Sequence, residues 1–232
     1  MARSSRLIIP FQPHYVFQRG LNGQAIFQDA DDHQAFLVWL RGAAKKFKVA
    51  VHAYVLLPAC VHLLVSPSDE AGLGQMMQWI GRYYVPWFNQ KYQRSGTLWQ
   101  GRYKTSVLDA EPFLMLCSRH IEHCPVRDGL AASALEYAWS SHAHHAGVRP
   151  DPVVTDHPLY WALGNTPFER EAAYIALSQQ VLSVSDIGNI EQSVAKGWPL
   201  GSGKFKVALE HKLLRPVVPA KRGRPFKTAI KI

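Results

Sequence analysis

Cysteine is scarce in this sequence: Cys60, Cys117 and Cys124 are the only three among 232 residues. An odd and small number excludes the disulfide scaffold of small secreted domains and points to a reducing cytoplasm. Long apolar runs are lacking too. The most continuous, Val49 to Leu57, falls well short of the roughly 20 residues of a membrane span, so no membrane partner is expected. The first residues are basic but run into Pro10, Gln12, Pro13 and His14 instead of an apolar export leader. What is present is hydrophobic side chain, 47% of the residues. That is enough for one sizeable core with a smaller appended unit, and it excludes wholesale disorder.

Acidic residues are few, 17 against 26 Lys and Arg, for a net charge of +9. Their distribution carries more information than the total. Residues 201–232 hold nine of the cations (Lys204, Lys206, Lys212, Arg215, Lys221, Arg222, Arg224, Lys227 and Lys231) and one acid, Glu210. A nearly neutral body with a basic end suits a folded domain whose tail meets a phosphate polymer. A tail that only confers solubility is the alternative.

The pattern of apolar residues predicts a strand over His14 to Gln18, then a helix capped by Asp31 with Gln34 reaching back to it. Val49 to Leu57 and Val61 to Val65 read as two antiparallel strands about Pro58-Ala59-Cys60. A helix over Leu73 to Tyr92, a strand over Tyr103 to Leu108, and a helix from Asp109 to about Cys124 follow. This order predicts an α+β fold, a ferredoxin-like antiparallel sheet with helices on one face. Beyond it, Phe168 to Leu182 and Phe205 to Leu214 look helical. The division expected is a domain over residues 1–147 and a helical extension with a basic tail over 148–232.

The run His52-Ala53-Tyr54-Val55-Leu56-Leu57-Pro58-Ala59-Cys60-Val61-His62-Leu63-Leu64-Val65 resembles the hallmark of the single-tyrosine HUH transposases, particularly the REP-associated tyrosine transposases. So do Tyr15-Val16 with Arg19-Gly20, Gly81-Arg82-Tyr83, Trp99-Gln100-Gly101-Arg102-Tyr103-Lys104 and Trp139-Ser140-Ser141, in the same order. His157-Pro158-Leu159-Tyr160 and Gly197-Trp198-Pro199-Leu200 extend the resemblance over nearly the whole chain. It implies a bacterial protein acting on hairpin or single-stranded DNA. In such a family, two histidines on a strand hold Mg²⁺ or Mn²⁺ against the scissile phosphate, and a helix tyrosine attacks it. A polar ligand four residues after the tyrosine completes the metal shell.

Three of those four positions depart from the pattern. Cys60 replaces the first histidine, His62 keeps the second, His120 stands where the tyrosine is expected, and Cys124 replaces the helix ligand. Without a hydroxyl at position 120, phosphotyrosine chemistry at that position is lost. Thiols and imidazoles suit Zn²⁺ better than Mg²⁺ or Mn²⁺. Cys60, His62, His120 and Cys124 are therefore candidate ligands of a structural zinc site. Neutral loss of the pocket, or altered catalysis through His120 or metal-bound water, are the other readings open.

Arg19, Arg82, Arg102, Lys104 and Arg127 are candidate DNA contacts of the body, and Lys221, Arg222, Arg224 and Lys227 of the tail. Arg222-Gly223-Arg224-Pro225 resembles the core of an AT-hook, which reads an A·T-rich minor groove; a nonspecific basic tail is the alternative. Aromatics from Trp79 to Trp99 divide between core and base-stacking platforms. His142, His144 and His145 read as a solvated loop cluster. The function expected is a cleavage-defective DNA binder, cytoplasmic and nucleoid-associated, monomeric or homodimeric. An active transposase with an altered site and a zinc-stabilised interaction protein are the alternatives.

Overall fold

The structure, a computed structural model, describes residues 6–213 and Val217. Strands β1 (His14–Arg19), β2 (Val49–Leu57), β3 (Cys60–Pro67) and β4 (Lys104–Val107) form one sheet in the order β2-β3-β1-β4, every pairing antiparallel. The ferredoxin-like sheet predicted from the sequence is thus present. Helices α1 (Ala30–Lys46) and α2 (Gly72–Lys91) cover one face, where Phe36, Leu40, Met76, Ile80 and Tyr84 pack on Val16, Leu56, Leu63 and Val65.

Helices do not stop at that face, as the sequence pattern had predicted. Helix α3 (Ala110–Glu122) lies on the other, packing Leu114, Cys117 and Ile121 against Tyr15, Val55 and Leu64. The consecutive apolar residues Leu63, Leu64 and Val65, all fully buried, are the reason: a strand with layers on both sides cannot alternate apolar with polar. A bulge between Val51 and Ala53 reverses the facing of β2, so Val49 and Val51 enter the first core while Ala53, Val55 and Leu57 enter the second.

Local signals explain the helix ends. Asp29, not Asp31, caps α1: its carboxylate accepts from Asp32 N at 3.1 Å, and Asp32 accepts from Asp29 N at 3.3 Å. Lys91, at the end of α2, reaches Asp29 at 2.7 Å and Asp32 at 2.9 Å, which favours this pair over Asp31 with Gln34. Helix α3 ends at Glu122, and Cys124 opens a separate turn, α4 (Cys124–Arg127), in which Pro125 lies in the first turn.

Two further single-turn helices, α5 (His142–His145) and α6 (Pro158–Trp161), lead to α7 (Pro167–Ser178), α8 (Val184–Lys196) and α9 (Gly203–Leu213). The sequence reading anticipated α7 and α9 but not α8. Its signals were there: Ser183 caps it by accepting from Asp186 N at 3.0 Å, and Gly197 ends it at φ 70°. Ile190 and Val194 of α8 enter the second core. The chain then runs beside β4, where Leu200 N donates to Val107 O at 2.9 Å and Asp109 N to Leu200 O at 2.8 Å. Leu209 and Val217 pack on Leu7, Ile9 and Val107. Among the described residues, no helix is long and apolar enough to cross a membrane.

The histidine cluster of α5 is not solvated as expected. His142 and His145 are buried, and each directs Nδ1 to the carboxylate of Glu122, at 2.9 and 2.7 Å. Ser141 Oγ donates to the same carboxylate at 2.5 Å and Tyr174 OH at 2.7 Å. Glu122 is fully buried, so α3 and α7 are tied together through one satisfied charge.

Candidate functional site

Strand pairing decides which side chains meet. Phe17 lies opposite His62 and Tyr15 opposite Leu64, and residues two apart on a strand share a face. Tyr15 and Phe17 of β1, Cys60 and His62 of β3, and Lys104 of β4 therefore line one cavity of about 290 Å³. Its other wall comes from His120 of α3, Cys124 and Arg127 of α4, and Ile190, Glu191 and Val194 of α8. The structure thus brings together all four residues of the expected site, and adds Lys104 and Arg127.

Sequence reasoning missed the residue at its centre. Tyr15 OH is 2.7 Å from His62 Nδ1 and 3.1 Å from His120 Nδ1, which joins the strand histidine to the helix histidine. The available signal was parity: Tyr15 is two residues before Phe17, on the face that carries His62. Burial holds the Tyr15 hydroxyl well above its ordinary pKa. Burial also pushes the Cys60 and Cys124 thiols up to about 12. Burial, then the charge of Arg127, lowers His62 and His120 to about 3. Near neutral pH the pocket therefore contains neutral imidazoles, protonated thiols and a protonated phenol. Tyr15→Phe leaves two buried ring nitrogens without their common partner and is expected to lower stability by about 1–3 kcal/mol. Urea unfolding at pH 7 measures it, and an unchanged midpoint would deny the clamp.

The residues present do not fit a metal. Among the described residues, no group of three or more His, Cys, Asp or Glu side chains is placed to hold one. Cys124 Sγ faces His120 O at 3.2 Å and accepts from Arg127 Nη2 at 3.0 Å, so a guanidinium cation occupies the thiol's open side. Cys60 Sγ lies 3.5 Å from His62 Nε2. The four-ligand zinc centre expected from the sequence has no support in this arrangement, and neither has a Mg²⁺ or Mn²⁺ shell.

The remaining candidate DNA contacts divide. Lys104 and Arg127 line the pocket, whereas Arg102 lines a second groove of about 640 Å³ on the opposite face of the sheet, beside Trp99, Tyr103 and Gln18. Arg19 and Arg82 are exposed and line neither. Of the aromatic stretch, Tyr84 and Phe88 are core and Tyr83 is exposed. Lys221, Arg222, Arg224 and Lys227 lie outside the described residues.

The antiparallel β2-β3-β1-β4 sheet carries α1 and α2 on one face and α3 on the other, which sets His62 of β3 and His120 of α3 on the same cavity. Residues 11–123, just under half of the chain, match the family described as IS200-like transposases. A solved structure of a REP-associated tyrosine transposase bound to a REP hairpin is similar at TM-score 0.52 and 13% identity, covering 68% of this chain and 93% of that one. At that identity the likeness concerns the fold. A crystal structure of a Deinococcus radiodurans R1 protein assigned as a transposase aligns over 53% of this chain and 97% of its own, at 17% identity and TM-score 0.36. Comparison with curated proteins gives no match.

Proposed function

We propose that this protein binds hairpin or single-stranded DNA and does not cut it by tyrosine attack. The observation that carries this reading is His120 at the centre of the α3 wall, facing His62 through Tyr15 in a pocket whose donors do not fit a metal. The similar REP-associated transposase was solved on a REP hairpin, which supports hairpin DNA as the ligand. A family fold with its chemistry replaced retains the surface for DNA and loses the step that needs a metal-activated hydroxyl. A second reading, cleavage through an altered site, draws on the Tyr15 hydroxyl, the one phenol that lines the pocket among the described residues.

In this reading residues 1–147 form the DNA-recognising domain, and 148–232 a helical extension ending in a basic, AT-hook-like tail that adds contacts to A·T-rich duplex. A DNA-binding role of this kind places the protein in the cytoplasm at the nucleoid. The tail is testable without disturbing the core if truncation starts after Val217, because Leu209 and Val217 are packed. Residues 218–232 contain Lys221, Arg222, Arg224, Lys227 and Lys231 and no acid. Their removal is expected to weaken hairpin binding and make its salt dependence shallower, by about one unit of slope per lost phosphate contact. Fluorescence anisotropy between about 50 and 200 mM salt reads both. Equal affinity and slope in the two proteins would exclude the tail from the interface, and failure of the full chain to bind any hairpin or single strand would sink the DNA-binding reading.

A further inference from the structure

We infer that the pocket between β1, β3 and α3 is a metal-independent seat for a phosphate group, with Tyr15 locking the two histidines and Arg127 and Lys104 supplying the positive charge. It rests on the DNA-binding reading only for the source of the phosphate.

Hydrogen-bond accounting leads there. Tyr15 has one hydroxyl proton and meets two Nδ1 atoms, so one imidazole donates to it and the other accepts from it. Cys60 is a protonated thiol 3.5 Å from His62 Nε2 and a better donor to it than sulfur is an acceptor from it. His62 then carries its proton on Nδ1 and gives it to the Tyr15 oxygen, and Tyr15 donates to His120 Nδ1. The proton of His120 is left on Nε2. That atom is buried and has no hydrogen-bond partner, and the ring lines the cavity. An unpaired buried N–H calls for an acceptor. A metal needs the opposite direction of the chain, with a bare lone pair at Nε2.

Charge agrees with the direction. Arg127 uses Nη2 for His120 O at 2.8 Å and for Cys124 Sγ, which leaves Nε and Nη1 for a ligand. Lys104 is exposed on the same wall. Asp128 and Glu191 also line the cavity, yet among the described residues no carboxylate pairs with either cation within 4.0 Å. One imidazole donor, His120 Nε2–H, beside a free guanidinium edge forms a site for phosphate oxygens.

Imidazole ¹⁵N–¹H spectra of the full chain, recorded with a chelator during titration with inorganic phosphate, test this. A saturable shift of the His120 Nε2–H signal is expected, with affinity reduced about tenfold or more in Arg127→Gln and less in Lys104→Gln. The unliganded imidazole signals of each variant verify that the fold is kept. Absence of a His120 shift, or stoichiometric Mn²⁺ broadening of His62 and His120, overturns the seat. A short single strand that reproduces the shift identifies DNA as the source. A strand that binds without moving His120, while phosphate does, overturns DNA as the source. A strand that fails to bind while phosphate shifts His120 removes the DNA-binding reading and leaves the seat standing.

Discussion

Glu122→Gln is expected to cost about 3–5 kcal/mol, the largest stability effect of a single substitution described for this protein. The carboxylate accepts from Ser141, His142, His145 and Tyr174 with no exposure to solvent. A glutamine amide keeps the shape but turns one acceptor into a donor facing donors, inside a site where water cannot compensate. Burial alone would raise the pKa of Glu122, but His145 and His142 hold it well below the usual carboxylate range. A depressed carboxylate contributes stability that is fully present above its unfolded pKa of about 4.3 and is lost as pH falls through the lower folded value. Urea unfolding of the wild type should therefore weaken below about pH 4.5, and that acid slope should flatten in Glu122→Gln. A cost under about 1 kcal/mol with an unchanged acid slope would show that the carboxylate is not the tie between α3 and α7.

His120→Tyr alone is expected to restore no strand cleavage. The new hydroxyl would enter a pocket in which Cys60 still offers a thiol in place of an imidazole, Tyr15 still engages His62, and Arg127 still faces Cys124 Sγ. Phosphoryl transfer to tyrosine needs the metal charge as well as the nucleophile, and groups acting as a unit do not add singly. Cys60→His, His120→Tyr and Cys124→Asn together are the minimum from which cleavage of a hairpin-bearing strand in Mn²⁺ is expected, read on a denaturing gel. Cleavage by the single variant would mean that the pocket holds a working metal despite its cysteines.

The sheet was legible in the sequence because β-branched and aromatic runs around Pro58-Ala59 leave few alternatives to an antiparallel pair. The second helical layer was less so. Leu63-Leu64-Val65 signals burial on both faces, but an apolar run alone does not say what covers it. Helix α8 escaped because Ser183 and Gly197 bound a segment with only Ile190 and Val194 buried, a thin stripe that tertiary packing completes. At the site, the motif placed Cys60, His62, His120 and Cys124 on one cavity, as the structure has them. Tyr15 was invisible because its role depends on the register between β1 and β3; Arg127 was named as a DNA contact, but its place against Cys124 and the His120 carbonyl depends on the turn of α4. His142 and His145 looked solvated for lack of any local sign of Glu122, about 20 residues away in sequence and in contact only in the fold.

The central claim, DNA binding without tyrosine attack, meets its most direct test in one incubation. The full unmodified chain is mixed with a hairpin-bearing single strand and Mn²⁺, and intact mass of the protein is measured together with the length of the oligonucleotide. The pocket has no hydroxyl at position 120, and Tyr15 is 1% exposed with its hydroxyl held by two histidines. The strand is therefore expected to be bound and recovered at full length, with no mass added to any tyrosine. A covalent adduct mapped to Tyr15 or His120, or a shortened strand, would contradict the account and establish an altered transposase chemistry in its place.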